Sequence, residues 1–511
     1  MMSKVKYYCR AIMPLMAMFL ASQLWAQPFA SHSQLASGNW FKIAVNTTGV
    51  YKLTTADIPS LNNAHCDQIA LYGAPGGQLS VHNSDAHFDD LVPAAIQIAD
   101  ANNNGIFENG DYLLFYGEAP GVWRYSNAEQ RFEFTPHAYA NYNYYYITTD
   151  NTSATSELRV QPSPHTSANQ GDIRTYTGIA MIHEDKTNVN GGGQIWMADK
   201  FTSSLRDRSY KLTLPGTPQS SSFLVRYAMS SNSSYNSKYL MTSGSTTREH
   251  LFYQGETYKA ILEQFPAGNS KEIDLTCSFV PYESSAVGYL DFIEINCLVP
   301  LAYSGSQTFF RNVQQLGEGN VSRFVCNGNS NGVMIWDVTH PSQPVALDIT
   351  PGNGNFAFLA STAEAGTYIA FTASSAEKPA SIASIDNQDI HGESVPDYVI
   401  VSHHDFLDQA ERLADLHRIQ EGMSVLVVTQ EQVFNEFSSG RPDPIAIRQM
   451  LRHFRSKGAS SNTTPRYLLL FGKGTFDNRD INNLGLKTVI TYESSVSFGD
   501  EARTYASDDL K

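Results

Sequence analysis

The chain has 511 residues and sets 35 lysines and arginines against 50 aspartates and glutamates, a formal net charge of −15. That balance argues against a general nucleic-acid role, because phosphate contacts need clustered cations. Only 17% of residues are charged while 12% are aromatic, and Ser, Thr, Asn and Gly are abundant. The mix suits exported β structure better than a cytosolic helical enzyme, and the length suits about three domains.

In chain order the first expected element is a secretory signal peptide over residues 1–26. Lys4, Lys6 and Arg10 precede an apolar run from Ala11 to Leu24, and Trp25-Ala26-Gln27 offers a small residue for cleavage after Ala26. The run is too short for an uncleaved spanning anchor, and no later stretch approaches the ~20 apolar residues that a spanning helix needs.

Residues 27–385 read as a β-rich region of sandwich or barrel type. Short apolar or alternating runs recur at Trp40–Val45, Tyr112–Tyr116, Tyr144–Ile147, Phe223–Tyr227 and Tyr289–Ile295. Turn clusters such as Asn46-Thr47-Thr48-Gly49 and Gly73-Ala74-Pro75-Gly76-Gly77 separate them. Two β domains are expected, without a legible boundary. Two polar stretches, Gln161 to Gly171 and Ser230 to Thr247, read as long loops.

One segment has the spacing of a calcium loop. Asp100, Asn102 and Asn104 take positions one, three and five, Gly105 takes six, Ile106 and Glu108 take seven and nine, and Asp111 takes twelve. Alternating side-chain oxygens around a glycine turn let a chain wrap a hard cation, so Ca2+ is the expected ligand. The flanks, however, read as strands rather than EF-hand helices. An Asx-rich loop that satisfies its own backbone is the competing reading. The four cysteines beyond the leader, Cys66, Cys277, Cys297 and Cys326, form no CxxC pair, which excludes a zinc ribbon and a dense disulfide framework. A Cys277–Cys297 bridge and buried free thiols both remain open.

Past a linker at 386–396 the pattern changes. Asp397–Ser402, Val425–Val428 and Tyr467–Phe471 read as buried strands. A helical period places Phe406, Ala410, Leu413, Ala414, His417 and Ile419 near one face until Gly422. Asp443 caps a second helix that has Pro444 in its first turn and ends at Gly458. Three apolar strands joined by helices make a parallel, right-handed layer. Ligands bind such sheets beyond the carboxyl ends of the strands, here His403-His404, Thr429-Gln430 and Gly472-Lys473-Gly474. The two histidines, adjacent at a strand end, are expected to point apart, one buried and one solvated. Gly472-Lys473-Gly474 lacks the length of a phosphate loop, Asp508-Asp509 reads as a polar terminus, and the Tyr142–Tyr146 cluster reads as strand packing.

The stretch from Asp397 to Asp509 resembles the start of a gingipain-type cysteine peptidase domain. The resemblance rests on Asp397-Tyr398-Val399-Ile400-Val401, Pro444-Ile445-Ala446-Ile447-Arg448, Tyr467-Leu468-Leu469-Leu470-Phe471-Gly472 and Tyr505-Ala506-Ser507-Asp508-Asp509. Upstream, Gly105–Gly117, Tyr289–Asn296 and Asp386–Gly392 resemble the sortases of the type IX secretion system. The resemblance implies the first half of a caspase-like α/β domain over residues 397–511. It also implies a Cys–His pair, cleavage through a thioester, and transfer of the acyl group to a surface glycolipid amine. The implied partners are secreted protein substrates and outer-membrane secretion components, at the periplasm, outer membrane or cell surface.

The family's His-Gly and Cys lie beyond the Ser-Asp-Asp segment, and Lys473 stands where the resemblance leads one to expect an acid. No catalytic residue is therefore assigned within the chain, and it is expected to be inactive alone. His391-Gly392 precedes the first strand of the layer and belongs to the linker. The alternative is a cell-surface β-sandwich adhesin or binding module without catalysis.

Overall fold

The computed structural model describes residues 29–498, except 86, 152–155 and 496, together with the backbone of 506–507. The expected leader, Asp508 and Asp509 fall outside the described residues.

Among the described residues the β region carries several apolar cores, and three of them define its units. The first gathers Ile43, Val45, Tyr51, Leu53, Phe107, Phe115, Tyr145 and Ile147. It is closed by a five-stranded sheet and a three-stranded one, the latter made of Gly49–Leu53, Tyr112–Gly117 and Ile96–Ala99. In the five-stranded sheet Trp40–Val45 lies between Asn143–Thr148 and Ser381–Ile385, antiparallel to both. The second unit is a sandwich. One sheet holds Thr175–His183, Gly288–Pro300, Ser222–Ser231 and Tyr258–Pro266. The other holds Asp207–Thr213, Glu272–Pro281, Ser237–Ser243 and Thr246–Phe252. The third unit packs Phe310, Phe324, Phe356, Phe358 and Tyr368, and it uses strands from both sides of the second, Gln161–Pro162 and Asp172–Ile173 before it and Thr308–Phe371 after it. The units are therefore nested in the chain.

The stretch Ser230 to Thr247, expected as a loop, is mostly strand. Ser237–Ser243 and Thr246–Phe252 form a hairpin turned by Ser243-Gly244-Ser245-Thr246, with Gly244 at φ +56°. Along Ser237–Ser243, Tyr239 and Met241 alternate with Lys238, Leu240 and Thr242 and send their side chains into the sandwich core. One buried face in a polar strand is enough to hold register.

The last layer is a parallel sheet in the order Val425–Thr429, Tyr398–Ser402, Tyr467–Phe471, with Tyr398 in register with Val425 and Tyr467. Helix α1 (Leu407–Gln420) lays Ala410 and Ala414 on Ile400. Ile419, assigned to that face from periodicity, is instead 82% exposed, because the buried stripe of this helix is only two alanines wide at its centre. The opposite face carries α2 (Gln430–Phe437) and α3 (Pro444–Lys457). Helix α2 was not legible as a helix. It begins with a capping box, Thr429 accepting from the Gln432 N–H while the Gln432 side chain returns to Thr429. Helix α3 has the expected Asp443 cap and ends at Gly458. The core under α2 and α3 also takes Leu79 and Tyr139 from the first β unit, so the α/β layer is seated directly on it. Among the described residues no helix is long and apolar enough to cross a membrane.

Candidate functional site

The chain leaves the central strand of the parallel sheet for one neighbour and then crosses to the other, so the connections part at the carboxyl ends of Tyr398–Ser402 and Tyr467–Phe471. That divergence opens a crevice where ligands of α/β sheets bind. Here a cleft of about 550 Å³ is lined by Gly472, Lys473, Gly474, Asp477, Leu484 and Leu486, among others.

The glycines of the Gly-Lys-Gly turn have a packing reason. A Cβ on Gly472 would meet Val489 Cγ2 at 2.6 Å and one on Gly474 would meet Thr491 Oγ1 at 2.5 Å. The segment Thr488–Thr491 thus lies against the turn, and the Val489 N–H donates to the Lys473 carbonyl at 3.1 Å. Gln430, at the second strand end, clips the same segment. It donates to the Thr488 carbonyl at 3.0 Å and accepts from the Ile490 N–H at 2.9 Å. Asp477 accepts from Ile481 N, Asn482 N and Asn482 Nδ2 at 2.7–2.9 Å, so its carboxylate shapes the loop rather than facing a ligand.

His403 and His404 do not point apart. The strand ends at Ser402, and His404–Phe406 is a 3-10 turn with His403 as its cap. The helical step brings the two rings to 4.2 Å, and ligand atoms of His403, His404 and Asp405 lie within 4.8 Å of one another. Asp405 is already engaged by the Lys487 ammonium.

Glu493 is a residue that sequence reasoning missed. It is buried, accepts from the Gly193 N–H at 2.8 Å, and burial pushes its carboxyl up to about 8. Its cover comes from Gly191–Trp196 of the second β unit, some 300 residues away, so no local pattern announces it.

The four cysteines are free. The Cys277–Cys297 bridge is not formed; both residues sit in the core of the second unit as separate thiols. Burial raises the thiols of Cys66, Cys277 and Cys297 and pushes Cys326 up to about 12. A nucleophilic cysteine needs the opposite shift.

The calcium-type loop is closed by its own side chains. Asp100 accepts from Asn102 N and Gly105 N at 3.2 and 2.8 Å, Asn102 from Asn104 N at 3.1 Å, and Asn104 from Ile106 N at 2.7 Å. Asn102 Nδ2 holds Glu108 at 3.0 Å, and Asp111 accepts from Ala101 N and Glu108 N. The Gly105 N–H, followed by the other turn amides, holds the Asp100 carboxyl below its usual range.

The segment 386–396 is not loosely attached. His391 is fully buried, with Nδ1 2.6 Å from Glu436 of α2 and Nε2 2.9 Å from Asp89 of the first β unit. Glu436, also fully buried, further accepts from Gln388 Nε2, Ile390 N and His391 N at 2.8–3.1 Å. Phe437 stacks on the imidazole at 4.5 Å. Nearby, Arg441 is 1% exposed and donates to Asn143 and to the Ala74 carbonyl, while Ser439 accepts from Ala74 N. Gly440 between them has φ +84°, and a Cβ there would lie 2.3 Å from the Tyr146 hydroxyl.

Residues 391–510 match the model of Peptidase family C25. The α/β layer is therefore of the gingipain-type cysteine peptidase class, preceded by a β region. Over most of the chain the structure is similar to dimeric latent PorU from Porphyromonas gingivalis, with a TM-score of 0.80 and 25% identity. The match covers 95% of this chain and 47% of that one, so this chain spans about half the length of its structural relative. Carbohydrate-binding module CBM36 in complex with calcium and xylotriose matches at a TM-score of 0.16 and 12% identity, over 24% of this chain and 99% of that one, and carries no argument. No curated protein matches.

Proposed function

We propose that this chain supplies the β region and the first part of the peptidase domain of an exported, surface-acting sortase of the type IX secretion class. In that reading a cysteine thiolate attacks the peptide bond before a sorting domain, the leaving amine takes a proton, and the acyl group passes from the thioester to a glycolipid amine. Secreted proteins are the substrates, secretion components of the outer membrane the partners, and nucleic acid plays no part. The carrying observation is the PorU-like fold over 95% of the chain, with the C25 match at 391–510.

The thiol and the base of that chemistry are not paired among the described residues. The purified 511-residue chain is expected to show no cysteine-dependent acyl turnover. Replacing any of Cys66, Cys277, Cys297 or Cys326 by Ser is expected to change nothing in that assay. Protein captured from its own cells with antibodies against this chain is expected to turn over a thioester substrate and to be blocked by a cysteine-directed acylating probe. Captured protein with no such turnover favours the adhesin reading instead. Turnover by the 511-residue chain, lost with one of its four cysteines, overturns the assignment.

The loop from Asp100 to Asp111 we propose as a Ca2+ site, with Asp100, Asn102, Asn104, Ile106, Glu108 and Asp111 as donors. The spacing of side-chain oxygens at positions one, three and five before Gly105 supports this reading. Calcium at 1 mM is expected to raise the Tm of the chain by several degrees over chelator, and the Asp100→Ala, Asn102→Ala variant to lose that rise. Equal melting of both proteins in both conditions leaves the loop as a self-satisfied turn.

A further inference from the structure

The turn after the central strand of the parallel sheet gathers three metal-ligating side chains. The strand stops at Ser402, and the 3-10 turn His404–Phe406 replaces the pleat that would have sent neighbouring side chains to opposite faces. The imidazoles of His403 and His404 therefore lie side by side, with centroids 4.2 Å apart. Among the described residues, His403, His404 and Asp405 are the one group of three His, Cys, Asp or Glu side chains whose ligand atoms all lie within 4.8 Å of one another. Donor atoms that share an ion at ~2.0–2.2 Å stand about 3–4 Å apart, so small rotations bring these three onto one ion.

The surroundings hold the ligands from behind, as around bound metals. His404 turns Nε2 to Asp405 Oδ1 at 3.1 Å and Nδ1 toward Glu431 Oε1 at 3.9 Å. The other oxygen of Asp405, Oδ2, is anchored by the Lys487 ammonium, which leaves Oδ1 for the ion. Glu431 gives a separate sign. Its Oε2 is closed off from solvent and has no hydrogen-bond partner among the described residues. A closed-off carboxylate oxygen without a donor marks a missing positive neighbour. A metal on His404 Nε2 fixes the ring proton on Nδ1, where it faces that carboxylate. Binding displaces the Nε2–Oδ1 contact, into which the ion inserts, and the long bond from the Asp405 N–H to His403 Nδ1 at 3.2 Å. Two imidazoles and one carboxylate suit Zn2+ and its transition-metal neighbours rather than Ca2+ or Mg2+.

We propose that His403, His404 and Asp405 bind one divalent transition-metal ion, Zn2+, through a ring nitrogen of each histidine and Oδ1 of the aspartate, with water completing a tetrahedron. The ion sits at the carboxyl end of the central strand, beside Lys487, whose neighbours Leu486 and Val489 line the cleft. The site is separate from the Asp100–Asp111 loop and uses no cysteine, so it does not rest on the sortase reading.

The test uses the untagged 511-residue chain, stripped with chelator and titrated with zinc chloride at pH 7.5 in 1 mM calcium chloride, which keeps the Asp100–Asp111 loop from contributing. Isothermal calorimetry reads the affinity. Cobalt chloride in place of zinc reads the geometry through its visible d–d absorption. Wild type is expected to bind one Zn2+ per chain and to show the intense band of four-coordinate Co2+. His403→Ala, His404→Ala and Asp405→Asn are each expected to weaken zinc at least tenfold and to lose the band. Glu431→Gln, which touches the ion only through His404, is expected to weaken zinc severalfold and to keep the band. His404 and Asp405 are exposed, so these variants keep the fold, and their Tm checks it. His340→Ala, at an exposed histidine of the third β unit paired with Glu364, is expected to bind as wild type does. No zinc bound by wild type, equal binding by wild type and both His403→Ala and His404→Ala, or an equal loss with His340→Ala overturns the proposal.

Discussion

Glu436→Gln is expected to cost about 3–5 kcal/mol of stability, the range for removing one partner of a buried ion pair. The carboxylate accepts four hydrogen bonds in a site with no exposure, one of them from the His391 ring. A glutamine amide turns a donor toward at least one of those donors, so hydrogen bonds are lost and a donor clash is added. The imidazole faces Asp89 and Glu436 directly, Asp90 through space, and His453 and Lys457 from α3. Burial opposes its charge, but the bonds to Asp89 and Glu436 outweigh burial and the ring titrates at about 9. Its folded value is above its unfolded one, so its contribution is present below about pH 6.5 and is lost as pH rises through about 9. Wild type should therefore lose stability from pH 7 to pH 10, and Glu436→Gln should lose much less over the same interval. Chemical denaturation at the two pH values measures both. A variant within about 0.5 kcal/mol of wild type, with an unchanged pH slope, would refute the coupling.

Arg441→Ala carries the second large effect, again about 3–5 kcal/mol. The side chain is nearly inaccessible, and its removal takes one of the two donors from Asn143 Oδ1, the other being the Tyr144 N–H, leaves a void beside Phe88, and strips a counter-charge from buried Asp443. Burial, against the pull of Arg441 and Arg448, leaves the Asp443 carboxyl at about 6. At pH 5, where much of that carboxyl is neutral, Arg441→Ala is accordingly expected to cost less than at pH 7.5. Equal costs at the two pH values would mean that only packing is lost. Because Asn143 and Ala74 belong to the first β unit, limited proteolysis near residues 386–396 should rise in the variant.

The contrast between these two centres and the strands marks what a sequence can reveal. Trp40–Val45, Tyr398–Ser402 and Tyr467–Phe471 were readable because burial writes itself into consecutive side chains. The Asp443 cap and Gly458 stop were readable for the same local reason. His391 looked like a linker residue because its partners, Asp89 and Glu436, lie 302 and 45 residues away. Arg441 and Glu493 are silent in the same sense. Helix α2 hid behind the strand end that it caps, and the His403–His404 geometry turned on whether the strand ran one residue further. The PorU-like architecture was legible through motif order rather than through any single motif, while the nesting of the β units erased the composition shifts that mark a boundary.

That nesting sets a timetable for the chain. Trp40–Val45 finds one neighbour within about a hundred residues, but its other neighbour, Ser381–Ile385, is among the last β segments to emerge. The third unit likewise waits, since Asp172–Ile173 pairs with Val321–Asn327. Of the three β units, only the second is contiguous among the described residues, so it is the β unit able to fold as soon as it is made. Until residue 385 arrives, an apolar strand edge of the first sheet stands open, and open edges recruit foreign strands. A chain threaded across a membrane from its N-terminus would hold that edge exposed for most of its passage. Its yield should then depend more on the supply of holding chaperones than on the stability of the finished fold.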